Sequence, residues 1–409
     1  MVERIWKQYY LAGGKAADVP FKLTPMPALS PGAAFTELTV LANFAEVSLA
    51  KEGHDGRIGI NFLEKIQLPT LPSIYGAMLA GVDYILMGAG IPRSIPGVLD
   101  RFARGETAEL KVDVTGATSA DNCLSTFDPG TLFAGPAPML PRPLFLAIIS
   151  SATLALTLAR KSNGRVDGFI VEGAVAGGHN APPRGPMQLS ESGEPVYGPR
   201  DVPELAKISE IGLPFWLAGA YARPEKITEA RELGAAGVQI GTAFAFCEES
   251  GITPALKREV LRLSRAEALR VFTDPLASPT GFPFKVLQLL GTISDEARYL
   301  ARQRICDLGY LRETYRKPDG SIGYRCAGEP VEDYVRKGGA VADTVGRKCL
   351  CNGLMATAGL GQQRPDGTED PIVTAGDEVM HLARYLPAAG DTYGAADVIQ
   401  WLLGKTAPA

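Results

Sequence analysis

The sequence lacks any concentration of positive charge. Its 409 residues include 41 basic and 45 acidic side chains, which gives a net charge of −4. A surface of this kind does not attract polyanions, so we expect neither nucleic acid nor an anionic membrane as a partner. The first residues have no basic region followed by an apolar one, so we expect no signal peptide and a cytoplasmic location.

Long hydrophobic runs are also missing. The longest apolar stretch, residues 143–159, contains four Ser and Thr residues. It is shorter than the roughly 20 residues that a membrane span requires. We expect this stretch to form a buried strand that runs into a helix.

Cysteines at the spacing typical of metal sites are absent. Four of the six cysteines, Cys306, Cys326, Cys349 and Cys351, lie near the C-terminus, and the only close pair is Cys349-x-Cys351. Without a C-x₂-C pair the pattern favours buried thiols over a zinc or iron–sulfur site. We therefore predict no metal ligand, and a tetrahedral site made by these four thiolates is the alternative. Disulfides are not expected in a reducing cytoplasm.

Histidine is scarce, with only three in the chain, and one of them stands in an informative position. Residues 167–171 form a short apolar run that predicts a buried strand, and Gly177-Gly178-His179 follows it. Glycine allows a ligand to approach the backbone closely, and imidazole suits proton transfer near neutral pH. The alternative is a surface loop with an incidental histidine.

Two further strand and helix units follow in the sequence. Residues 213–221 and 234–242 predict strands that end in Gly219 and in Gly241-Thr242, with a helix at 226–233 between them. In (β/α)₈ barrels the loops after the last two strands commonly bind phosphate through backbone N–H groups. This spacing favours a phosphate site over glycines that serve only tight turns.

These motifs resemble the nitronate monooxygenase (2-nitropropane dioxygenase) family. The resemblance is carried by Glu172-Gly173, Ala176 to His179, Leu217-Ala218-Gly219 and Gly237 to Thr242, together with Gly59-Ile60-Asn61-Phe62 and residues 81–92. That family consists of FMN enzymes on a TIM-type (β/α)₈ barrel and includes FMN-dependent enoyl-acyl carrier protein reductases. The resemblance implies that His179 is the catalytic base. It also implies FMN contacts from Asn61, Glu172, Gly177, Gly178, Gly219, Gln239, Ile240, Gly241 and Thr242.

Three positions depart from the family pattern. Val175 stands where an acidic residue is usual, Ala220 replaces a second glycine, and Glu172 stands where many members have glutamine. None of these changes removes the expected phosphate donors.

The predicted barrel is incomplete at its N-terminal side. We count six strands, near Ile58, Tyr84, Leu144, Phe169, Phe215 and Val238, whereas a closed barrel needs eight. The first two strands are therefore expected to be missing, through a late start of the sequence or through replacement by other structure. We predict an irregular segment at 1–35, an FMN-binding barrel with inserted loops at 36–294, and a mostly α-helical extension at 295–409.

Local patterns add several expectations. Helices are predicted at 3–10, 36–51 and 253–278, and an irregular excursion at 111–142. The loop 180–201 is expected to cover the site, with Arg184 either meeting an anion or remaining solvated. Residues 279–285 are predicted to form a kinked loop that brings Lys285 near the substrate.

The function expected from the resemblance is FMN-dependent oxidation of alkyl nitronates with O₂. One alternative is reduction of an enoyl thioester by NAD(P)H, because both reactions would use the same flavin site and histidine. Another is a truncated, inactive flavin-binding fragment. In each case the partner is a small molecule, and assembly into an oligomer is left open.

Overall fold

The structure is a computed structural model of the chain and describes residues 1–118, 121 and 123–405. The chain divides into two compact units. One comprises residues 1–148, 154–168 and 306–341, and the other comprises 149–153, 169–305 and 342–409. They are called unit 1 and unit 2.

Helices and strands alternate through the middle of the chain. The α-helices are α1 (Val2–Tyr9), α2 (Ala33–Ala50), α3 (Thr70–Leu79), α4 (Ile95–Ala103), α5 (Ala152–Lys161), α6 (Leu205–Ser209), α7 (Pro224–Glu232), α8 (Thr242–Ala245), α9 (Pro254–Arg265), α10 (Glu296–Ala301), α11 (Val331–Arg336), α12 (Leu350–Thr357) and α13 (Ala395–Leu402). Short 3₁₀ helices lie at Pro129–Leu132, Pro199–Asp201, Val341–Thr344 and Asp377–Tyr385.

The β-strands are mostly short. They are β1 (Gly59–Leu63), β2 (Tyr84–Gly88), β3 (Ala108–Lys111), β4 (Val114–Thr115), β5 (Leu124–Phe127), β6 (Leu144–Ile149), β7 (Gly168–Glu172), β8 (Phe215–Ala218), β9 (Gly237–Gln239), β10 (Val271–Asp274), β11 (Phe284–Leu287), β12 (Glu313–Arg316), β13 (Ile322–Arg325), β14 (Gln363–Arg364) and β15 (Gly367–Thr368).

Glycine turns connect helices to the strands that follow them. After α7, Gly234 adopts a left-handed φ of 87°. Its N–H donates to Arg231, and the Ala235 N–H donates to Ala230. This pair of bonds satisfies the last helical carbonyls and reverses the chain into β9, and Gly81 ends α3 in the same way. The glycines at positions 81 and 234 therefore determine where each helix ends and the chain turns into the next strand.

Unit 1 contains three parallel strands. β1 pairs with β2 in the register Gly59↔Tyr84, and β2 pairs with β6 in the register Tyr84↔Leu144. Helix α2 packs closely on α3, since a Cβ at Gly76 would lie 2.2 Å from the Val40 carbonyl oxygen. β12 forms a hairpin with β13 and also pairs in parallel with β4.

Unit 2 contains the other three parallel strands. β7 pairs with β8 in the register Phe169↔Phe215, and β8 pairs with β9 through Leu217↔Val238. A separate hairpin joins β10 to β11. The core of unit 2 is made by helices α8, α9 and α13 together with the 3₁₀ helix at 377–385.

All six predicted parallel strands are present, and the α/β class is confirmed. The expected helices at 3–10 and 36–51 correspond to α1 and α2, and the apolar stretch at 143–159 is a strand followed by a helix. Whether the six strands belong to a TIM-type barrel without its first two strands stays a prediction, as do the domain boundaries.

Helix α2 combines length with an apolar composition. It has 18 residues with a mean hydropathy of 1.2, and 17% of it is buried, so by length and composition alone it could cross a membrane. Helices of ordinary protein cores meet the same two criteria. The expected absence of a membrane partner therefore stays a prediction.

Two local expectations are wrong. The helix predicted at 253–278 ends at Arg265, because Glu267 turns the chain with a left-handed φ of 53° and residues 271–274 then pair with β11. The stretch 111–142 is not wholly irregular, since β5 lies within it and pairs with β3, and β4 pairs with β12.

Candidate functional site

The C-terminal ends of β7, β8 and β9 open onto one cleft in unit 2. Its volume is about 320 Å³, which lies at the lower end of the range for small-molecule sites of about 300–1,000 Å³. The lining residues are Glu172, 175–178, 218–222, 239–243, Ala245, 374–376 and Glu378. Of the predicted FMN contacts, the structure brings together Glu172, Gly177, Gly178, Gly219, Gln239, Ile240, Gly241 and Thr242.

The turn after β7 forms one side of the cleft. Gly178 has a left-handed φ of 79°, which favours glycine, and a Cβ there would meet no atom within 4 Å. Its N–H donates to the Thr374 hydroxyl at 2.9 Å, and that hydroxyl donates to the Lys285 carbonyl at 2.7 Å. The Thr374 side chain therefore fixes the Gly-Gly turn against β11.

Residues 374–376 form a second wall that the sequence reasoning missed. A Cβ at Gly177 would lie 2.6 Å from the Gly376 nitrogen, so the two backbones touch here. The Gly376 N–H donates to the Thr242 hydroxyl at 3.0 Å. The missed signal is Ile372-Val373, a fully buried apolar pair followed by Thr374-Ala375-Gly376, which repeats the pattern of a strand ending in small residues.

The turn after β8 carries backbone strain. Gly219 has a φ of 92° and Ala220 has a φ of 58°, a conformation that costs an L-residue about 1–2 kcal/mol. The glycine expected at position 220 would adopt this conformation without strain. The turn keeps this conformation with alanine because it packs closely against the loop after β7. A Cβ at Gly219 would lie only 3.0 Å from the Val175 side chain.

The segment after β9 exposes backbone to the cleft. Gly241 caps the short helix α8, and a Cβ on Gly241 would meet no atom within 4 Å. The N–H groups that open a helical turn have no partner within it, so they are available to an acceptor. Thr242 adds a hydroxyl that accepts from Gly376 and keeps its own proton for donation.

The cleft carries no cationic side chain among the lining residues of the described chain. Its carboxylates are Glu172 and Glu378, and Glu378 is paired with Arg384 at 3.1 Å. An anion in this cleft would therefore rely on backbone N–H groups and hydroxyls.

Burial favours the uncharged form of the Glu172 carboxyl and so raises its pKa. Desolvation raises the pKa of its carboxyl from 4.5 to about 7, because the charged form loses water without gaining a partner charge. A protonated glutamic acid has one O–H donor and one carbonyl acceptor, a polarity similar to that of the glutamine that the predicted resemblance leads one to expect at this position.

His179 lies beside the cleft and does not line it within the described part of the chain. Its Nε2 is 2.7 Å from the Ser278 hydroxyl, and its ring packs edge-on against Phe284 with centroids 4.8 Å apart. Burial lowers the pKa of the imidazole to about 4, so it is neutral at pH 7. The residue is where the motif predicts it, one position after Gly178, with its ring turned towards β11.

The remaining predicted residues lie elsewhere. Asn61 is on β1 in unit 1, paired with Leu86. Lys285 is buried within β11, where its Nζ is 2.7 Å from Asp377 Oδ1, and it does not line the cleft. Its predicted place in a loop is wrong, because the backbone at 284–287 pairs with β10, whereas its place near the substrate stays a prediction.

Loop 180–201 and the cysteines give no further site. The Arg184 side chain donates to the Ser150 carbonyl at 3.4 Å and is exposed, and its role with an anion stays a prediction. Cys123 and Cys247 are free thiols. Within the described residues no group of three or more His, Cys, Asp or Glu side chains is arranged to hold a metal ion.

The middle of the chain matches a known sequence family. Residues 104–275 match the family described as Nitronate monooxygenase. A probable nitronate monooxygenase of Bacillus subtilis is 32% identical over 119 residues, which cover 29% of this chain and 32% of that protein. One of Staphylococcus haemolyticus is 29% identical over 126 residues, which cover 30% and 34%. The matched segments thus span about a third of the length of these relatives.

A solved structure of a FabK variant from Thermotoga maritima overlaps 93% of this chain and 92% of its own, with a TM-score of 0.46 and 15% identity. The family match and the curated relatives confirm the predicted resemblance to the nitronate monooxygenase family, a family of oxidoreductases.

Proposed function

We propose that this chain is an FMN-dependent oxidoreductase that acts on alkyl nitronates with O₂. The observation that carries the proposal is the cleft itself, where Gly178 and Gly241 each leave open space that a Cβ would fill. Backbone exposed in this way, together with the Thr242 hydroxyl, suits a phosphate group. A small-molecule substrate and a cytoplasmic location are part of the proposal, and the near balance of 41 basic and 45 acidic residues supports a partner that is not a polyanion.

The residues of the cleft fit the parts of FMN. Gly219, Gly241 and Thr242 would hold the phosphate through N–H groups and a hydroxyl, and Gly177 and Gly178 would allow close approach at the β7 side. Below its pKa of about 7, Glu172 would face the cofactor mainly in its protonated form, which brings no negative charge to the anion. When bound, FMN would supply the redox chemistry between the nitronate and O₂.

The lowered pKa of His179 favours a nitronate over a neutral nitroalkane as substrate. A base whose pKa is about 4 takes a proton from carbon poorly at pH 7, since proton transfer is most effective when the pKa lies near the working pH. A nitronate arrives already deprotonated and needs no such step. His179 would then orient the substrate, and the Ser278 hydroxyl at its Nε2 would fix the ring.

The first test is flavin binding by the purified chain and by two glycine variants. Gly241→Val places a side chain in the cleft and is expected to abolish FMN uptake. Gly251→Val is the matched control, because a Cβ at Gly251 also meets no atom within 4 Å and Gly251 is not in the cleft. FMN uptake is measured by absorbance titration. Equal uptake by both variants would refute the assignment of the cleft as the FMN site.

The second test separates the reactions. O₂ consumption with propyl-2-nitronate, at a rate well above that with 2-nitropropane, supports the proposal. Anaerobic bleaching of the flavin by NAD(P)H, with no turnover of nitronate, would refute the nitronate reaction and support the enoyl thioester reductase instead.

A further inference from the structure

Unit 2 contains a second, larger cavity. Its volume is about 840 Å³, within the range of small-molecule sites of about 300–1,000 Å³, and it shares no lining residue with the cleft described above. Its walls come from the end of β10, from residues around α10 and from residues 344–348. It is called the Tyr299 cavity, after the aromatic ring in its wall.

The outer part of the Tyr299 cavity is apolar. Several large apolar side chains that line it are exposed: Met187, Leu189, Leu276, Leu300 and Val345. Leu300 is 71% exposed. Exposed apolar side chains scattered singly are ordinary, but their concentration around one concavity is typical of a binding site.

The inner wall carries cations, and one nitrogen atom of Arg302 lacks an acceptor among the described residues. Arg302 is only 9% exposed, and its Nε donates to Glu369 at 2.5 Å. Glu369 is shared with Arg364 at 2.8 Å, so two guanidinium groups meet one carboxylate. The Arg302 Nη2 atom is buried and has no hydrogen-bond partner among the described residues, an arrangement that leaves a charged donor unsatisfied.

Two more cations surround the Tyr299 ring. The Lys348 Nζ lies 4.4 Å from the ring centroid, and an Arg304 Nη2 donates to the Tyr299 hydroxyl at 3.0 Å. The carboxylates of this wall are Asp274, which is 3.5 Å from Lys348, and Glu296, which is exposed. The lining cations thus outnumber the lining carboxylates by three to two and are held in place by protein contacts.

We propose that the Tyr299 cavity binds an amphipathic anion, a single carboxylate or phosphate head on an apolar chain. The head meets Arg302 and Arg304, whose planar donors match both groups, and the chain covers Leu189, Leu276 and Leu300. A neutral apolar molecule would offer the lining cations no negative charge, and a small hydrophilic anion would leave the apolar rim in water. The inference goes beyond the proposed flavin chemistry, because it concerns a separate cavity.

Calorimetric titration of the full chain with four probes tests the ligand class. Decanoate, decyl phosphate, decanol and acetate are compared below their aggregation concentrations. Binding of decanoate or decyl phosphate at least tenfold tighter than both decanol and acetate supports the proposal, and the better of the two identifies the head group. Equal affinity for decanol, equal affinity for acetate, or no binding of either decyl anion would overturn it.

Two exposed leucines provide a matched pair of variants. Leu300→Glu puts a negative charge at the mouth of the cavity and is expected to weaken decanoate binding about tenfold at low salt. Leu290→Glu is the control, because Leu290 is 89% exposed and does not line the cavity. An equal loss of decanoate affinity in both variants, or no loss in Leu300→Glu, would contradict the placement of the ligand in the Tyr299 cavity.

FMN uptake is measured in the same samples. Both variants are expected to retain the uptake of the unmodified chain. Decanoate binding without FMN uptake would refute the flavin proposal alone, and FMN uptake without decanoate binding would refute the cavity alone.

Discussion

Replacing Glu172 with glutamine should make the protein more stable at alkaline pH. The folded carboxyl has a pKa of about 7 against an ordinary value of 4.5. Between these two values the folded state retains a proton that the unfolded chain has released, so stability falls as the pH rises through this window. At about 1.4 kcal/mol for each unit of pKa, the loss is about 3 kcal/mol by pH 8.

Urea unfolding of the FMN-free chain at several pH values measures the effect. The free energies of unfolding of Glu172→Gln and of the unmodified chain should agree near pH 4.5. They should separate to about 3 kcal/mol in favour of the variant at pH 8. Glu232→Gln, an exposed carboxylate on α7, is the control and should show no such separation.

His179 acts in the opposite sense and cancels from the comparison. Its folded pKa of about 4 lies below the ordinary 6.5, so the unfolded chain binds a proton that the folded state lacks, and stability falls as the pH drops through that window. This contribution is common to the variant and the unmodified chain. Parallel stability profiles for the two proteins from pH 5 to pH 8 would refute the assignment of a buried, unpaired acid at Glu172.

Three further substitutions test the packing around the cleft by urea unfolding. Ala220→Gly relieves a left-handed alanine and should raise stability by about 1 kcal/mol, since the relief exceeds the added freedom of the unfolded chain. Lys285→Met leaves Asp377 without its cation at 2.7 Å and should cost about 2 kcal/mol, less than for a fully buried pair because Asp377 is partly exposed. Gly177→Ala forces a Cβ against the Gly376 backbone and should also cost about 2 kcal/mol.

Each of these substitutions has a contrasting variant. Ala230→Gly lies within α7 and should destabilise by about 1 kcal/mol where Ala220→Gly stabilises. The double variant Lys285→Met with Asp377→Leu should recover part of the loss. Gly173→Ala, in the same loop as Gly177 but with no atom within 4 Å of its Cβ, should change stability by less than about 1 kcal/mol. Equal losses for Gly173→Ala and Gly177→Ala would contradict the close backbone contact.

Local sequence patterns predict those parts of the site that lie at strand ends. Glycine after an apolar run marks where a strand stops and where backbone becomes exposed, and this rule located Gly178, Gly219 and Gly241. It works because both the turn and the open approach require a residue without a Cβ. The six parallel strands follow from the same apolar runs.

Long-range contacts explain what the sequence did not reveal. The wall at 374–376 reaches the cleft through contacts with Gly177 and Thr242, and no spacing rule connects these positions. The helix predicted beyond Arg265 has suitable periodicity, but the pairing of 271–274 with 284–287 decides its structure. The direction of the His179 ring likewise depends on Ser278, which lies 99 residues away.

The bond between Gly178 and Thr374 sets the order in which the cleft can form during protein synthesis. Its partners are 196 residues apart, so Thr374 is synthesised well after Gly178. At ribosomal rates of about 5–20 residues per second, the Gly-Gly turn waits roughly 10–40 seconds for the residue that fixes it. A nascent chain therefore exposes an unfinished cleft for that time, and a ligand of the cleft cannot assist its folding until Thr374 has been synthesised.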